Sequence, residues 1–222
     1  MKYTEQYNNC LNTHSEYLTD KCWPHSYGPK VYDDLFEPIQ HTVRNYLEIG
    51  TAYGGSALLA RDYFTLADIW TVDQVAPNRR LRNIRRIITV TCDAYQKKIA
   101  DMFPNQMDII IEDGSHTITD QQRSIDLYLE KLNIGGYFII EDIEVPEKSF
   151  KLFDKRVDLV LESLQSRGNK WLEYEVSTYI GPEFFLNDTP GREEYAKKEI
   201  EEFGRLTRKS KNDNLYIVKR VS

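Results

Sequence analysis

Four side chains that could bind a cation and move a proton follow two apolar runs in the middle of the chain. Asp113 and His116 come after the run MDIIIE, and Glu141 and Asp142 close the run YFIIED. If both runs are strands of one parallel sheet, these acids share the edge where such sheets bind ligands. Three carboxylates side by side repel one another unless a cation lies between them. Carboxylate oxygens suit a hard divalent ion, so the sequence predicts a site for Mg²⁺, with Mn²⁺ or Ca²⁺ as alternatives.

The adjacent pair Glu141 and Asp142 carries a geometric condition, because successive side chains of a strand point to opposite faces. The two can share one ion only if the strand has ended before them. His116 is the predicted general base: a metal lowers the pKa of an aliphatic hydroxyl, and a nearby imidazole can take its proton. The alternative is structural, since an Asp or His at a strand end often only caps the next helix.

Seven short runs rich in β-branched and aromatic residues predict β-strands. They are Asn45–Ile49, Ile69–Asp73, Ile87–Thr91, Met107–Glu112, Tyr137–Glu141, Tyr174–Ile180 and Asn214–Lys219. Between them apolar residues recur at helical spacing, as over Ile118–Leu132 and Phe150–Leu164. This alternation predicts an α/β fold with a seven-stranded, mostly parallel sheet and helices on both faces. The alternating pattern of the last two runs predicts an antiparallel ending of the sheet.

A glycine-bearing turn, GTAYGGS, follows the first predicted strand and opens a helix. Gly50 allows a tight turn at the strand end, and Ser56 is predicted to cap the helix. The spacing is not the dinucleotide fingerprint, because position 52 is alanine, so pyrophosphate is not the favoured ligand. Glu48 favours a ligand with cationic character or hydroxyl groups. Asp73 ends the second strand, where a carboxylate accepts hydrogen bonds from ribose hydroxyls in such folds.

With an acid after the third predicted strand as well, this arrangement resembles the class I S-adenosylmethionine-dependent methyltransferases. The resemblance implies a Rossmann-like fold and S-adenosylmethionine as cofactor. In that family the glycine loop holds the methionine part, the acid of the second strand holds the ribose, and a residue after the third strand meets the adenine. The cofactor residues predicted here are Glu48, Gly50, Tyr53, Ser56, Asp73, Asp93 and Asp113.

The two acidic motifs narrow the resemblance. Asp-Gly-Ser-His at 113–116 and Gly-Gly-Tyr-Phe-Ile-Ile-Glu-Asp at 135–142 resemble the metal-dependent macrolide-sugar O-methyltransferases of mycinamicin and tylosin biosynthesis. That family implies Asp113, Glu141 and Asp142 as metal ligands and His116 as the base. The catechol O-methyltransferase group is more distant, since it has a lysine in place of the histidine and Asp-Asn in the later pair. A sugar-like alcohol is therefore favoured over a catechol as the acceptor.

The N-terminal stretch from Thr19 to Phe36 also resembles that family, in which it covers the cofactor or the substrate. His25, Tyr27, Tyr32 and Tyr179 are predicted substrate contacts, with plain packing as the alternative. We expect one methyltransferase domain over residues 1–222, made of a helical or lid segment (1–40) and a Rossmann-like core (41–222). Family members often carry a separate N-terminal domain for assembly, which leaves a homo-oligomer open here.

Composition excludes several classes of protein. Net charge is −6 and the pI about 5.4, which argues against a general nucleic-acid binder. No apolar run is long enough to cross a membrane, the N-terminal stretch has no signal-peptide core, and the three cysteines support no disulfide framework. We therefore expect a soluble, cytoplasmic protein. The arginines between Arg79 and Arg86 fit either an anion site or a solvated turn.

Together these patterns predict a divalent-metal-dependent O-methyltransferase that acts on a sugar or a glycosylated small molecule. One alternative is a methyltransferase for a nucleotide-linked amino sugar or a small phenol. Another is a non-catalytic protein that binds S-adenosylmethionine. A Mg²⁺-dependent phosphate enzyme lacks support, because the sequence contains no P-loop motif.

Overall fold

A computed structural model describes residues 1–11, 17, 19, 21–22, 27–76, 81–167, 173–184 and 211–222. Within these ranges the side chains of residues 11, 29–30, 180–184 and 211–213 are not described. The helices are α1 (Tyr3–Leu11), α2 (Asp33–Phe36), α3 (Gly55–Tyr63), α4 (Lys97–Ala100), α5 (Ile118–Tyr128) and α6 (Pro146–Ser166). A π-helical turn over Gly28–Tyr32 leads into α2, and short 3₁₀ turns cover Glu37–Ile39 and Leu129–Lys131.

The predicted seven-stranded sheet is confirmed. Its strands are β1 (Asn45–Ile49), β2 (Asp68–Asp73), β3 (Ile87–Thr91), β4 (Met107–Glu112), β5 (Leu132–Ile140), β6 (Tyr174–Phe184) and β7 (Lys211–Arg220). Their spatial order is β3-β2-β1-β4-β5-β7-β6. The first five strands pair in parallel, and β7 runs antiparallel to both of its neighbours, as the sequence predicts for the last strand.

Helices cover both faces of this sheet because the central strands are apolar on both sides. In β4, Ile109 and Ile111 join the core shared with α1, α2 and α3, whereas Ile110 joins the core shared with α4, α5 and α6. Such alternation between two buried faces is typical of a parallel sheet between helical layers.

One helix boundary was predicted wrongly. The apolar spacing from Ile118 extends to Leu132, but α5 ends at Tyr128, and Leu132 already belongs to β5. The 3₁₀ turn over Leu129–Lys131 keeps the leucines buried while the chain changes direction. Strand β5 therefore begins before the predicted Tyr137, with a register irregularity where it pairs with the start of β4.

The sheet aligns the residues that follow its central strands. The amide of Gly50 donates to Val72 O, that of Asp113 to Ile49 O, and that of Glu141 to Glu112 O, each at 2.9 Å. Backbone pairing thus continues one residue beyond β1, β4 and β5. The glycine turn and both acidic motifs start side by side at one edge of the sheet. In the described part of the chain, no helix combines the length and apolarity that crossing a bilayer requires.

Candidate active site

Asp113, His116 and Asp142 meet at the carboxyl ends of β4 and β5. Each offers one ligand atom, and these atoms lie within 4.8 Å of one another. His116 Nδ1 is 4.0 Å from Asp113 Oδ1. Strand β5 ends at Ile140, before the Glu141–Asp142 pair, so the geometric condition set by the sequence is met. The backbones of His116 and Asp142 both have positive φ, 58° and 51°, a conformation that non-glycine residues adopt mainly where surrounding structure enforces it.

Glu141 lies deeper than this group and is bonded to the N-terminal segment. Its Oε2 accepts a hydrogen bond from Lys21 Nζ at 2.7 Å, and its Oε1 accepts one from the Tyr32 hydroxyl. Lys21 Nζ also lies 2.7 Å from Asp113 Oδ2 and 3.4 Å from Glu48 Oε1. The predicted metal triad is therefore adjacent in space, but both oxygens of Glu141 already have partners on the protein.

The Lys21 ammonium keeps its charge although it is only 1% exposed. Burial acts to lower its pKa, but the carboxylates of Asp113, Glu141 and Glu48 outweigh burial and hold that pKa well above the usual value. Burial raises the pKa of Glu141 to about 8, and the Lys21 ammonium offsets only part of that rise. For Glu48, burial prevails over its partners and raises the pKa to about 7.

The glycine turn presses closely against the end of β4. Gly50 has a φ of 91°, and a Cβ there would lie 1.9 Å from the Asp113 carbonyl oxygen. Gly54, with a φ of 81°, is the N-cap of α3. Asp73 Oδ2 accepts hydrogen bonds from the amides of Thr51 (2.9 Å) and Ala52 (3.1 Å). The carboxylate predicted for ribose thus also holds the turn in shape.

Ser56 does not cap α3, contrary to the prediction from sequence, because Gly54 occupies the capping position two residues earlier. Its hydroxyl donates instead to Glu48 Oε2 at 2.8 Å, which ties the helix start to the end of β1. Tyr53 is half-buried in the same turn. Asp93 follows β3 and accepts hydrogen bonds from the amide of Tyr95 and the side chain of Gln96, both at 3.0 Å.

Asp113, Glu141 and Asp142, at the carboxyl ends of β4 and β5, form what we call the acidic edge. Of the predicted substrate contacts, Tyr27 lies at this edge. It is fully buried, and its hydroxyl donates to Asp142 Oδ1 at 2.7 Å. Tyr179 is half-buried in β6 and packs against the core on the α1–α3 side. His25 lies outside the described residues.

Sequence reasoning missed two residues of this edge, namely Lys21 and Tyr95; Tyr32, a predicted substrate contact, lies there too, bonded to Glu141. The Tyr95 hydroxyl donates to Glu112 Oε1 at 2.6 Å and accepts from the Ser115 amide at 3.0 Å, so it braces the loop that carries Asp113. For Lys21, the only signal was its place in the N-terminal stretch that resembles the sugar methyltransferases.

Of the arginines between Arg79 and Arg86, Arg86 has a structural role. Arg86 donates to the carbonyls of Arg61, Phe64 and Ala67, which surround the C-terminal end of α3. Arg82 and Arg85 are exposed, and Arg79 and Arg80 lie outside the described residues.

The residues at the acidic edge fit a divalent cation. Asp113 and Asp142 bring carboxylate oxygens, the ligand type that Mg²⁺ and Mn²⁺ prefer, within 4.8 Å of each other, with the imidazole of His116 beside them. The ammonium of Lys21 between Asp113 and Glu141 shows independently that these carboxylates hold positive charge. Glu48, the Gly50 turn and Asp73 lie at the adjoining strand ends, where folds of this type bind a nucleoside.

Comparison with known proteins agrees with this arrangement. Residues 47–143 match the family model described as a methyltransferase domain. This part of the chain is therefore similar to a methyltransferase domain. The matched range runs from β1 through the glycine turn, Asp73, Asp93 and both acidic motifs.

The similar proteins include two methyltransferases named for natural products. The 8-demethyl-8-alpha-L-rhamnosyl tetracenomycin-C 2'-O-methyltransferase of Streptomyces olivaceus is 30% identical over 57% of this chain and 35% of its own length. The MycE methyltransferase of the mycinamycin biosynthetic pathway, solved with Mg, SAH and mycinamycin VI, is 26% identical with a TM-score of 0.53, over 64% of this chain and 37% of that one. A second MycE structure, with Mg and SAH, has a TM-score of 0.57 at 22% identity, over 75% and 46% of the two chains. This chain thus spans less than half the length of these relatives.

Proposed function

We propose that this protein is a divalent-metal-dependent O-methyltransferase that moves the methyl group of S-adenosylmethionine to a hydroxyl of a sugar or glycosylated metabolite. The observation that carries the proposal is the meeting of Asp113, His116 and Asp142 within 4.8 Å, beside the Gly50 turn of a methyltransferase domain. The rhamnosyl and mycinamycin methyltransferases support a glycosylated acceptor. Residence in the cytoplasm and assembly into a homo-oligomer stay predictions.

In this proposal the glycine turn and its neighbouring acids bind S-adenosylmethionine. The Gly50 turn provides close backbone approach, and Asp73, already fixed by the amides of Thr51 and Ala52, has lone pairs left for ribose hydroxyls. Glu48 faces positive charge in the structure, since Lys21 Nζ lies 3.4 Å away, and so suits the cationic methionine part.

His116 acts as the general base. Its side chain is 35% exposed, so a bound acceptor can reach the ring, whereas Nδ1 is buried and faces Asp113. The neutral tautomer protonated on Nδ1 therefore leaves Nε2 to accept the proton. Asp113, at 4.0 Å from Nδ1, stabilises the resulting imidazolium. A bound Mg²⁺ would supply a lowered pKa for the acceptor hydroxyl. The protein's further contribution is to hold donor and acceptor in line.

The test is a screen of acceptors that reads release of S-adenosylhomocysteine. The panel contains nucleotide sugars, including amino sugars, glycosides and small phenols, each with Mg²⁺ and with excess chelator. We expect release with a glycoside or sugar hydroxyl and its loss on chelation. Full activity in excess chelator would remove the metal from the proposal, and turnover of phenols alone would remove the sugar.

A second candidate, a non-catalytic protein that binds S-adenosylmethionine, is favoured by one observation. Lys21 pairs with Asp113 and Glu141 at 2.7 Å, which satisfies these carboxylates without a metal. Calorimetric titration with S-adenosylmethionine, with and without Mg²⁺, separates the two. Tight binding that is indifferent to Mg²⁺, together with no turnover across the panel, supports the second candidate.

A further inference from the structure

The N-terminal segment, by which we mean Lys21 and residues 27–36, reaches each predicted metal ligand with a side chain of its own. Tyr27 donates to Asp142, Tyr32 donates to Glu141, and Lys21 bonds to both Asp113 and Glu141. All three N-terminal residues are at most 1% exposed. This segment is therefore docked onto the acidic edge through bonds to the acids themselves as well as through core packing.

Lys21 is the charged member of this contact. Its ammonium has lost nearly all contact with water, and three carboxylates surround it at 2.7, 2.7 and 3.4 Å. Burying a lysine this deeply is costly unless paired anions compensate it. Any change that draws Asp113 and Glu141 towards another cation therefore removes the compensation that keeps Lys21 in place.

We propose that the Lys21 ammonium and a divalent cation are competing occupants of the carboxylates of Asp113 and Glu141, so that binding the metal releases the N-terminal segment from the acidic edge. The inference rests on the proposed metal dependence and adds a built-in competitor to it. Two cations a few ångströms apart in a water-poor site repel each other strongly. Glu141 in particular has one oxygen bonded to Lys21 and the other to Tyr32, so it must give up a partner to join the ion fully.

The competition is reciprocal, because two ligands that exclude each other weaken each other equally. Lys21 lowers the affinity for the metal, and the metal lowers the affinity of the acidic edge for the segment. Entry of the ion would thereby open the place that Tyr27 and Tyr32 now cover.

The first experiment measures Mg²⁺ affinity by isothermal titration calorimetry on the full chain. The variant Lys21→Met keeps the length of the side chain and removes the charge, and we expect it to bind Mg²⁺ about tenfold more tightly or better. The matched control is Lys97→Met, whose lysine pairs with Asp101 at the surface and whose side chain is 69% exposed. The control should bind Mg²⁺ like the wild type. An unchanged or weaker affinity in Lys21→Met overturns the proposal.

The second experiment needs no variant and covers the case in which Lys21→Met fails to fold. Hydrogen exchange of residues 27–36 is followed in the wild-type chain with chelator and with saturating Mg²⁺. Release of the segment predicts faster exchange there with Mg²⁺, whereas β1 and β4 stay protected. Unchanged or slower exchange in residues 27–36 overturns the proposal.

The activity assay separates this inference from the proposed function. If methyl transfer requires Mg²⁺ but Lys21→Met and wild type bind it equally, the competition is wrong and the function stands. If methyl transfer proceeds fully in chelator, the metal dependence itself fails, and this inference fails with it.

Discussion

His116 holds a backbone conformation that few side chains adopt, with a φ of 58°. Its neighbour across the cluster, Asp142, does the same at 51°. Each such residue costs the fold on the order of 1–3 kcal/mol, so the surrounding structure must enforce it. Loop Gly114–Thr117 does so through Tyr95, which receives the Ser115 amide, and through Thr117, which caps α5 by accepting from the Asp120 amide.

The role of His116 is tested with two substitutions. His116→Ala removes the imidazole, and His116→Asn removes it while keeping a residue type that tolerates positive φ. Both variants should bind S-adenosylmethionine like the wild type in calorimetry, and their turnover should fall by roughly 10²–10⁴-fold, because the general base is lost. His41→Asn, at an exposed position, is the control. Wild-type turnover in His116→Asn would assign the residue a structural role only.

Glu112 is a buried acid that the proposed chemistry does not use. Burial raises its pKa from 4.5 to about 7, against the lowering effect of the Tyr95 hydrogen bond, and Oε2 has no partner among the described residues. Because this pKa is higher in the folded than in the unfolded chain, stability from Glu112 is present below pH 4.5 and is lost as the pH rises through 7.

Glu112→Gln should therefore gain stability relative to the wild type as the pH rises. Glutamine keeps the shape without ionising, so the difference in free energy of unfolding should grow in its favour between about pH 5 and about pH 8. Urea unfolding in the presence of chelator measures it, with exposed Glu147→Gln as the control. A difference that stays constant over this range would contradict a shifted pKa at Glu112.

At the scale of elements, the β1–α3 turn depends on one close approach. A Cβ at Gly50 would lie 1.9 Å from the Asp113 carbonyl oxygen, so any side chain there pushes apart the ends of β1 and β4. Gly135, in β5, has a similar φ of 81° but nothing within 4 Å of its Cβ position. Substituting alanine at each of the two glycines therefore separates the cost of the backbone conformation from the cost of the clash.

We expect Gly50→Ala to lower the free energy of unfolding by about 3 kcal/mol or more, and Gly135→Ala by only about 1 kcal/mol. Urea unfolding of the two variants measures both values. Similar losses would mean that the clash relaxes at little cost, and that Gly50 is needed for its φ alone.

Elements were the part of the molecule that local sequence predicts best. Strands β1, β3 and β4 have the bounds predicted for them, because apolar runs flanked by polar turns leave little choice. The start of β5 was missed because Leu132 continues the helical spacing of α5, and spacing does not reveal a 3₁₀ turn. Ser56 was predicted as a cap from residue type, whereas its partner, Glu48, is set by how α3 packs on β1.

The acidic edge was predicted only where strand order alone brings residues together. Asp113, Glu141 and Asp142 follow adjacent parallel strands, so topology brings them to one edge. Lys21 pairs with acids 92 and 120 positions away and belongs to no regular element there, so no local pattern announces it. Tyr32 is linked to Glu141 across 109 positions in the same way.

At the scale of the whole molecule, an aromatic layer attaches the N-terminus to the sheet. Tyr3 of α1 packs edge-on against Tyr32, Phe36 and Tyr63, with ring centroids 5.8, 5.5 and 5.1 Å away. Because Tyr32 also bonds to Glu141, this packing connects α1 to the acidic edge.

Tyr3→Ala should therefore affect both stability and the site. We expect the free energy of unfolding to fall by about 3–5 kcal/mol, as for other large aromatic deletions from a core, and hydrogen exchange of residues 27–36 to quicken. Leu66→Ala, at a position 48% exposed, is the control for stability. A loss of stability without faster exchange in residues 27–36 would show that Tyr3 does not hold the segment at the edge.

The interior position of β7 has a consequence for how the chain matures on the ribosome. Because β7 lies between β5 and β6, β5 pairs only with β4 and β6 has no partner among the described strands until β7 has been made. The same strand fastens the stretch after the acids, since the Asn214 side chain donates to Ile143 O at 2.8 Å. A nascent chain that already contains both acidic motifs therefore cannot complete the sheet. One edge of β5 stays unpaired until β7 has been synthesised and has left the exit tunnel of the ribosome.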